Sequence, residues 1–505
     1  MKELYHRTNR NWVLTVLVSL IIIGGFLRFY NLSSQSYWMD EGYTMNAVMS
    51  ILEHGSTVLD SGQNYSCPTY CYPTALLVNL LGNNPPSYRL LSVLAGLLFI
   101  IVIFFIAKKF FNRNIALLTS FFITFSYWQI AWSRQARWYT LFSLLFWLSI
   151  YFFYQSLYSN KNKYLNIFLT AIFTVLAVLT HGLGYLLPFI FIGWILIDQI
   201  FIQKKFDWKK SLVIIVVGAI IMWLFNFISN IDVISYLFSN LNLDYVLPYY
   251  LNFYLRTYWL FILLAILAFF NRDNTYKKEI YFFLFILCTY LIPLSFFTNI
   301  VHYRYMFHLT PILFMLGSIG FLGVYKDIKP MYGKVILWLI VLGLFATVAG
   351  GAFIPQTYYF LESDSPSALG SRPHYAYTPQ PNWNSAYAFI KANKTVEDIT
   401  ISSHPQFNKI FLGEAGYWIK YDYLGFDNKA QYNNDDHEYY VGAKIMDDLA
   451  ELQATIMTSH GFIVFDFMSI DGRIPQDIQE YIMTNLTLVF HEKTNEYSEI
   501  WVYKF

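Results

Sequence analysis

The chain predicts a polytopic α-helical membrane protein of about eleven spans with a C-terminal external α/β domain, and three observations predict it. Hydrophobic residues fill 56% of the 505 positions and charged ones only 13%, well below the ~25% charged residues of an average soluble domain. The apolar residues gather into runs close to the ~20 residues that a helix needs to cross the hydrocarbon. Beyond about residue 355 this pattern stops, and short β-rich runs alternate with segments of helical spacing.

The apolar runs lie near 12–30, 88–107, 114–132, 138–158, 164–180, 183–202, 211–229, 251–270, 280–297, 305–324 and 335–354. The first is about as long as a full span and no small-residue cleavage site follows it before Asp40, so it reads as a retained helix rather than a removed signal. Lysines and arginines collect in alternate loops: Lys2/Arg7/Arg10, Lys108/Lys109/Arg113, Lys161/Lys163, Lys204/Lys205/Lys209/Lys210, Arg272/Lys277/Lys278 and Lys326/Lys329/Lys334. The intervening loops contain no lysine. By the positive-inside rule the N-terminus and the basic loops are cytoplasmic, and an odd number of spans places everything after about 355 outside, as expected of an integral protein of the cell membrane. The basic residues punctuate the apolar runs instead of forming one patch, and the net charge is only +2. That excludes a nucleic-acid partner and leaves membrane lipid.

Three regions follow: a membrane domain over 1–355, a linker or substrate-covering loop rich in Ser, Pro and Tyr over 356–381, and the α/β domain over 382–505. Within the last, 383–391 has helical spacing, 398–402 and 461–467 read as buried strands, and 444–458 and 474–484 as helices. A closing hairpin of 486–490 with 499–503 turns around Thr494-Asn-Glu. The domain covers the site, helps choose the acceptor, or is a passive cap.

The first external loop opens with two adjacent carboxylates, Asp40 and Glu41. Ionisable groups at a membrane boundary are costly to desolvate, so they mark the candidate catalytic centre. Asp40 reads either as a general base or as the cap of an interfacial helix over 41–53 closed by Gly55. Adjacent side chains diverge, which leaves Glu41 to orient Asp40 or to reach a metal. The same topology sets Arg89, Arg134, Arg137, His181, Arg256, His302 and Arg304 at external span ends. Arginine presents a rigid fork of donors suited to phosphate. Arg134 and Arg137, three apart on one helical face, either grip a phosphate or anchor the interface beside Trp132, Trp138 and Tyr139. His302 and Arg304 pose the same choice, and His181 reads as a sugar contact, a metal ligand or a structural group. Metal-site spacing is missing, but a divalent cation such as Mg or Mn held by Asp40, Glu41 and a substrate phosphate stays open. Cys67 and Cys71 form a local disulfide or stay free thiols.

Taken together, the order Arg28-Phe-Tyr-Asn-Leu32, Tyr37-Trp-Met-Asp-Glu-Gly-Tyr43, Tyr88-Arg89 through Gly96, Ser133-Arg-Gln-Ala-Arg137-Trp-Tyr139, Thr180-His181-Gly182 and Tyr303-Arg304-Tyr305 before Pro311 resembles the GT-C class of membrane glycosyltransferases. Within it the likeness is to the protein-mannosyltransferase and aminoarabinose-transferase-like group, over roughly residues 12–325. The resemblance implies transfer of a sugar from a polyprenyl-phosphate donor to a lipid, glycan or protein acceptor outside the cytoplasm. It makes Asp40 the base, with Glu41 beside it, and puts Arg137, Arg134, Arg304 and His302 on the donor phosphate. Tyr139, His181 and Arg89 are then substrate-binding. A double displacement would need a second carboxylate ~5–5.5 Å away, and Glu53, Asp60, Asp232 and Asp244 are scattered, which favours one direct inverting step. The rival readings are a transporter or flippase of lipid-linked sugars and an oligosaccharide ligase using a pyrophosphate carrier.

Overall fold

In lipid a backbone must satisfy its own polar groups, so each apolar run is expected to close into a helix. The computed structural model of the chain describes residues 2–33, 36–159, 161–204, 208, 246–270, 274–296, 303–327, 330–349, 381–419, 432–433, 437–438, 440–470, 474–493 and 498–505. The membrane part consists of α1 (Lys2–Phe29), α2 (Met39–His54), α3 (Pro68–Leu81), α4 (Pro85–Phe110), α5 (Arg113–Phe125), α6 (Tyr127–Ser133), α7 (Tyr139–Tyr158), α8 (Lys163–Thr180), α9 (Leu187–Ile197), α10 (Val246–Phe270), α11 (Lys277–Phe296), α12 (Thr310–Asp327) and α13 (Pro330–Ala349). Among the described residues eight segments are long and apolar enough to span, and nine if one bent pair counts as a span. The expected run at 211–229 lies outside the described residues.

The apolar run expected over 114–132 is broken in two, because α5 and α6 meet at 59°. Ser126 makes the break: its backbone leaves the helical region (φ −61°, ψ 115°), and its hydroxyl accepts from Gln129 N–H to cap α6. The first loop carries two helices. One, α2, ends on Gly55 in the left-handed conformation at φ 75°. The other, α3, was not expected; it begins with Pro68 at its first turn, and the Cys67–Cys71 disulfide, with Cα atoms 5.4 Å apart, ties its N-terminus. Deeper in the bundle α10 crosses α12 so closely that a Cβ on Gly320 would lie 1.9 Å from Leu264 O, which only glycine allows.

The C-terminal domain comprises α14 (Trp383–Asn393), β1 (Ile399–Ser402), α15 (Pro405–Leu412), β2 (Tyr417–Ile419), β3 (Tyr432–Asn433), β4 (His437–Glu438), β5 (Lys444–Met446), α16 (Leu449–Thr458), β6 (Gly461–Asp466), α17 (Phe467–Ile470), α18 (Gln476–Asn485), β7 (Thr487–Lys493) and β8 (Glu499–Lys504). Its strands form one sheet in the order β3-β4-β5-β2-β1-β6-β8-β7. The centre, β5-β2-β1-β6, is parallel and the margins are antiparallel. Every residue of β6 is buried, as a strand covered on both faces requires. The domain docks on α2 and its loop: Trp383 N–H donates to Ser36 Oγ (3.1 Å), Asn46 Nδ2 to Gln406 O (3.3 Å) and Ser61 Oγ to Tyr440 O (3.0 Å), while Lys409 Nζ pairs with Asp60 Oδ2 (2.6 Å).

Candidate active site

Where α1 ends, its last carbonyls need donors. Arg134 supplies them, donating through Nη1 to Tyr30 O (2.7 Å) and Arg28 O (3.0 Å) and through Nη2 to Asn31 O (3.3 Å). Arg134, expected on the donor phosphate, is thus a buried cap of the first span. Arg28, to which sequence reasoning gave no role, does similar work at the α5–α6 break. Its guanidinium donates to Ser133 Oγ (3.1 Å), Gly24 O (3.2 Å) and Ile123 O (3.3 Å).

Asp40 and Glu41 face different partners. Glu41 is fully buried and accepts from Arg89 Nε (2.9 Å), Arg89 Nη2 (2.9 Å), Trp38 N–H (3.0 Å) and Ala136 N–H (2.7 Å). Arg89, also fully buried, donates further to Leu32 O (2.9 Å) and Ser36 O (3.1 Å). The pair staples the first loop, α4 and the 134–137 turn together, and breaking such a buried pair on one side costs ~3–5 kcal/mol. Arg89, expected to bind substrate, and Glu41, expected to orient Asp40 or reach a metal, are both engaged in holding the scaffold. Among the described residues no group of three or more His, Cys, Asp or Glu side chains is gathered for a metal ion, and Glu41 already accepts four N–H groups.

The Asp40 carboxylate lies 3.3 Å from Arg137 Nη2 and 3.6 Å from Arg304 Nη2, with 17% of its side chain exposed. Arg137 Nη1 donates to Asp40 O (3.0 Å), Thr44 Oγ1 (3.0 Å) and Tyr65 OH (2.6 Å), whereas its Nε is buried without a hydrogen-bond partner. Burial alone would lower the pKa of Arg137, but Tyr65 and Asp40 outweigh it and raise the pKa above its ordinary value, so the side chain stays charged. Aromatic faces enclose both cations. Trp138 lies 3.9 Å from the Arg137 guanidinium carbon, Trp38 lies 5.0 Å from that of Arg304, and Tyr139 lies 5.9 Å from each. Tyr65 and Thr44 were missed in the sequence, since neither belongs to a motif and both act through distant partners.

His181 stands next to this cage, 5.5 Å ring to ring from Tyr139 and 5.8 Å from Tyr305. Its Nδ1 accepts from Leu183 N–H (3.1 Å), which leaves the proton of a neutral ring on Nε2. Burial, helped by Arg137 and Arg304, pushes its pKa down to about 3. His181 is a neutral donor facing two cations. Arg256 is exposed on α10, and His302 lies outside the described residues.

Comparison with solved structures identifies the fold that holds these residues. The chain aligns with apo ArnT from Cupriavidus metallidurans at a TM-score of 0.62 and 12% identity, covering 98% of both chains. The chain has the GT-C glycosyltransferase fold. ArnT from the same organism bound to undecaprenyl phosphate matches at TM-score 0.60 and 12% identity, again over 98% of each chain. The archaeal oligosaccharyltransferase AglB from Archaeoglobus fulgidus, in complex with an inhibitory peptide and a dolichol-phosphate, matches at 0.57 and 12%, over 92% of this chain and 70% of that one. A family model described as dolichyl-phosphate-mannose-protein mannosyltransferase matches residues 66–225. No curated protein matches the chain. The family match takes in Arg137, Tyr139 and His181, while Asp40 and Arg304 come to the same cage from outside it.

Proposed function

We propose that the protein transfers a glycosyl group from a polyprenyl-phosphate-linked sugar to an acceptor on the extracytoplasmic side of the membrane, by one direct inverting displacement. The observation that carries this reading is the Asp40 carboxylate set between the Arg137 and Arg304 guanidiniums, at 3.3 and 3.6 Å. Two forks of donors around one carboxylate also suit a phosphate, so the donor phosphate takes over Arg137 and Arg304 and releases Asp40 toward the acceptor. The acceptor O–H or N–H then attacks the anomeric carbon and gives its proton to Asp40. The bond from that carbon to the phosphate oxygen breaks, and the carrier phosphate leaves as an anion held by the two arginines. Tyr139 and the Nε2–H of His181 line the sugar position. ArnT bound to undecaprenyl phosphate and AglB bound to a dolichol-phosphate, both of this fold, support a lipid-phosphate donor.

The test is Asp40→Asn in the full chain. Removing a general base lowers turnover by ~10²–10⁴-fold, and removing the carboxylate that competes for the arginines leaves polyprenyl-phosphate affinity equal to the wild type or tighter. Unchanged turnover of Asp40→Asn would sink the assignment. Because AglB is an oligosaccharyltransferase, product mass decides whether one sugar or a whole glycan is moved.

A further inference from the structure

Arg137 has two kinds of contact. Through Nη2 it faces Asp40 Oδ2, the contact that a phosphate replaces; through Nη1 it holds Tyr65 OH at 2.6 Å, which nothing in the transfer requires to break. Tyr65 is therefore placed to keep the guanidinium aimed while Asp40 exchanges for phosphate. Its own position is fixed from three sides. Its N–H donates to Thr57 O (3.0 Å), and the chain bridges back on itself at Val58 and Asn64, two positions that bracket the turn before it. Two residues on, the Cys67–Cys71 disulfide anchors the loop to α3. The ring sits between Trp138 (5.8 Å) and Tyr440 (6.0 Å, edge-on).

Tyr440 comes from the α/β domain, some 375 residues along the chain. It is built in rigidly: its N–H donates to Glu438 Oε2 (2.9 Å), its carbonyl accepts from Ser61 Oγ (3.0 Å), and its ring packs on Tyr43 of α2 at 4.2 Å. A continuous line of contacts thus runs from the α/β domain through Tyr440 and Tyr65 to Arg137.

We propose that Tyr65 is a positioning residue for the lipid phosphate, acting by fixing the Arg137 fork, and that Tyr440 seats Tyr65, so that the α/β domain contributes to donor affinity. The inference rests on the donor-phosphate reading above. A preorganised fork loses less freedom on binding than an arginine free to turn about its four torsions. Burial raises the pKa of Tyr65, so its hydroxyl accepts from Arg137 while keeping its own proton.

The experiment measures undecaprenyl phosphate binding to the full chain in nanodiscs, with undecaprenol as the phosphate-free control and thermal unfolding as the check on folding. Tyr65→Phe removes only the hydroxyl and, by freeing the Arg137 fork to turn, is expected to weaken phosphate binding about tenfold. Undecaprenol binding should stay as in the wild type, and the melting temperature should fall by only a few degrees, leaving the protein folded under the binding conditions. Tyr440→Leu should weaken binding about threefold, and the double variant should bind no worse than Tyr65→Phe alone, because Tyr440 acts through Tyr65. Wild-type affinity in Tyr65→Phe, or losses that multiply in the double variant, overturns the proposal. If Tyr65→Phe does not fold, Tyr440→Leu decides: a threefold loss supports the proposal and an unchanged affinity overturns it. A wild type that ignores undecaprenyl phosphate overturns both readings; a wild type that binds it, with Tyr65→Phe equal, overturns only this one.

Discussion

A neutral imidazole beside two guanidiniums contributes to the acid response of the chain. His181 titrates near 6.5 when unfolded and at about 3 in the folded protein. Between those values the unfolded chain binds a proton that the folded one refuses, so stability falls as pH drops from 6.5 toward 3, by at most ~1.4 kcal/mol per pH unit from this group. His181→Gln should flatten the fall in melting temperature between pH 6.5 and 4, and a slope equal to the wild type's would show that another group controls it. At this scale the sequence was readable where chemistry and position coincide. Asp40, Arg137 and Arg304 are polar groups at span ends, and the fold brings all three together. Glu41, Arg89 and Arg134 are also charged groups at span ends, yet the fold engages them in the scaffold. What separates them is which carbonyls and N–H groups lie within reach after folding, and neighbours far along the chain, such as Ala136 for Glu41 and Leu32 for Arg89, decide that.

At the scale of elements, α2 matters because it carries Asp40 on one side and the α/β domain on the other. It approaches α15 at Gly42, where an added Cβ would lie 2.7 Å from Gln406 Cγ and 3.3 Å from Phe407 Cε1. Gly42→Val should therefore wedge the two helices apart, costing ~1–3 kcal/mol as overpacking does. Turnover should fall with it, since Asp40 moves with α2. Thermal unfolding and a transfer assay on the same preparation check both, and a Gly42→Val protein with wild-type stability would mean that the interface yields freely. The existence of α2 was legible from its acidic start and the glycine behind it. Neither α3 nor the break at Ser126 was. Helix α3 contains Pro73 and two tyrosines, poor helix material that holds through burial of Tyr70, Cys71 and Val78. Ser126 is a single small polar residue in an otherwise apolar run, and its capping geometry exists only because α6 packs at an angle to α5.

For the whole molecule, the arginines of the site and the lysine-bearing loops of the membrane part lie at opposite ends of the same helices. Tyr139 of the site begins α7, and Lys161 follows the other end of that 20-residue helix, a rise of ~30 Å. The same holds for α4, which runs from buried Arg89 to Lys108 and Lys109, and for the segment from Arg304 to Lys326 at the end of α12. The fold thus puts the arginines of the site and the lysines of the loops on opposite sides of one bilayer, whichever side is which. As a rule lysine-rich loops stay in the cytoplasm, so Asp40 and the α/β domain are expected to face outward. Single cysteines test this in a Cys288→Ser background. Asn162→Cys, in the loop between α7 and α8, should react with a membrane-impermeant maleimide only in inside-out vesicles. Val396→Cys, on the open surface of the α/β domain, should react only in right-side-out ones. Labelling of both from one side would contradict the spanning arrangement itself. The reverse pattern would keep the fold but place the site in the cytoplasm, and with it the lipid-linked donor and the acceptor.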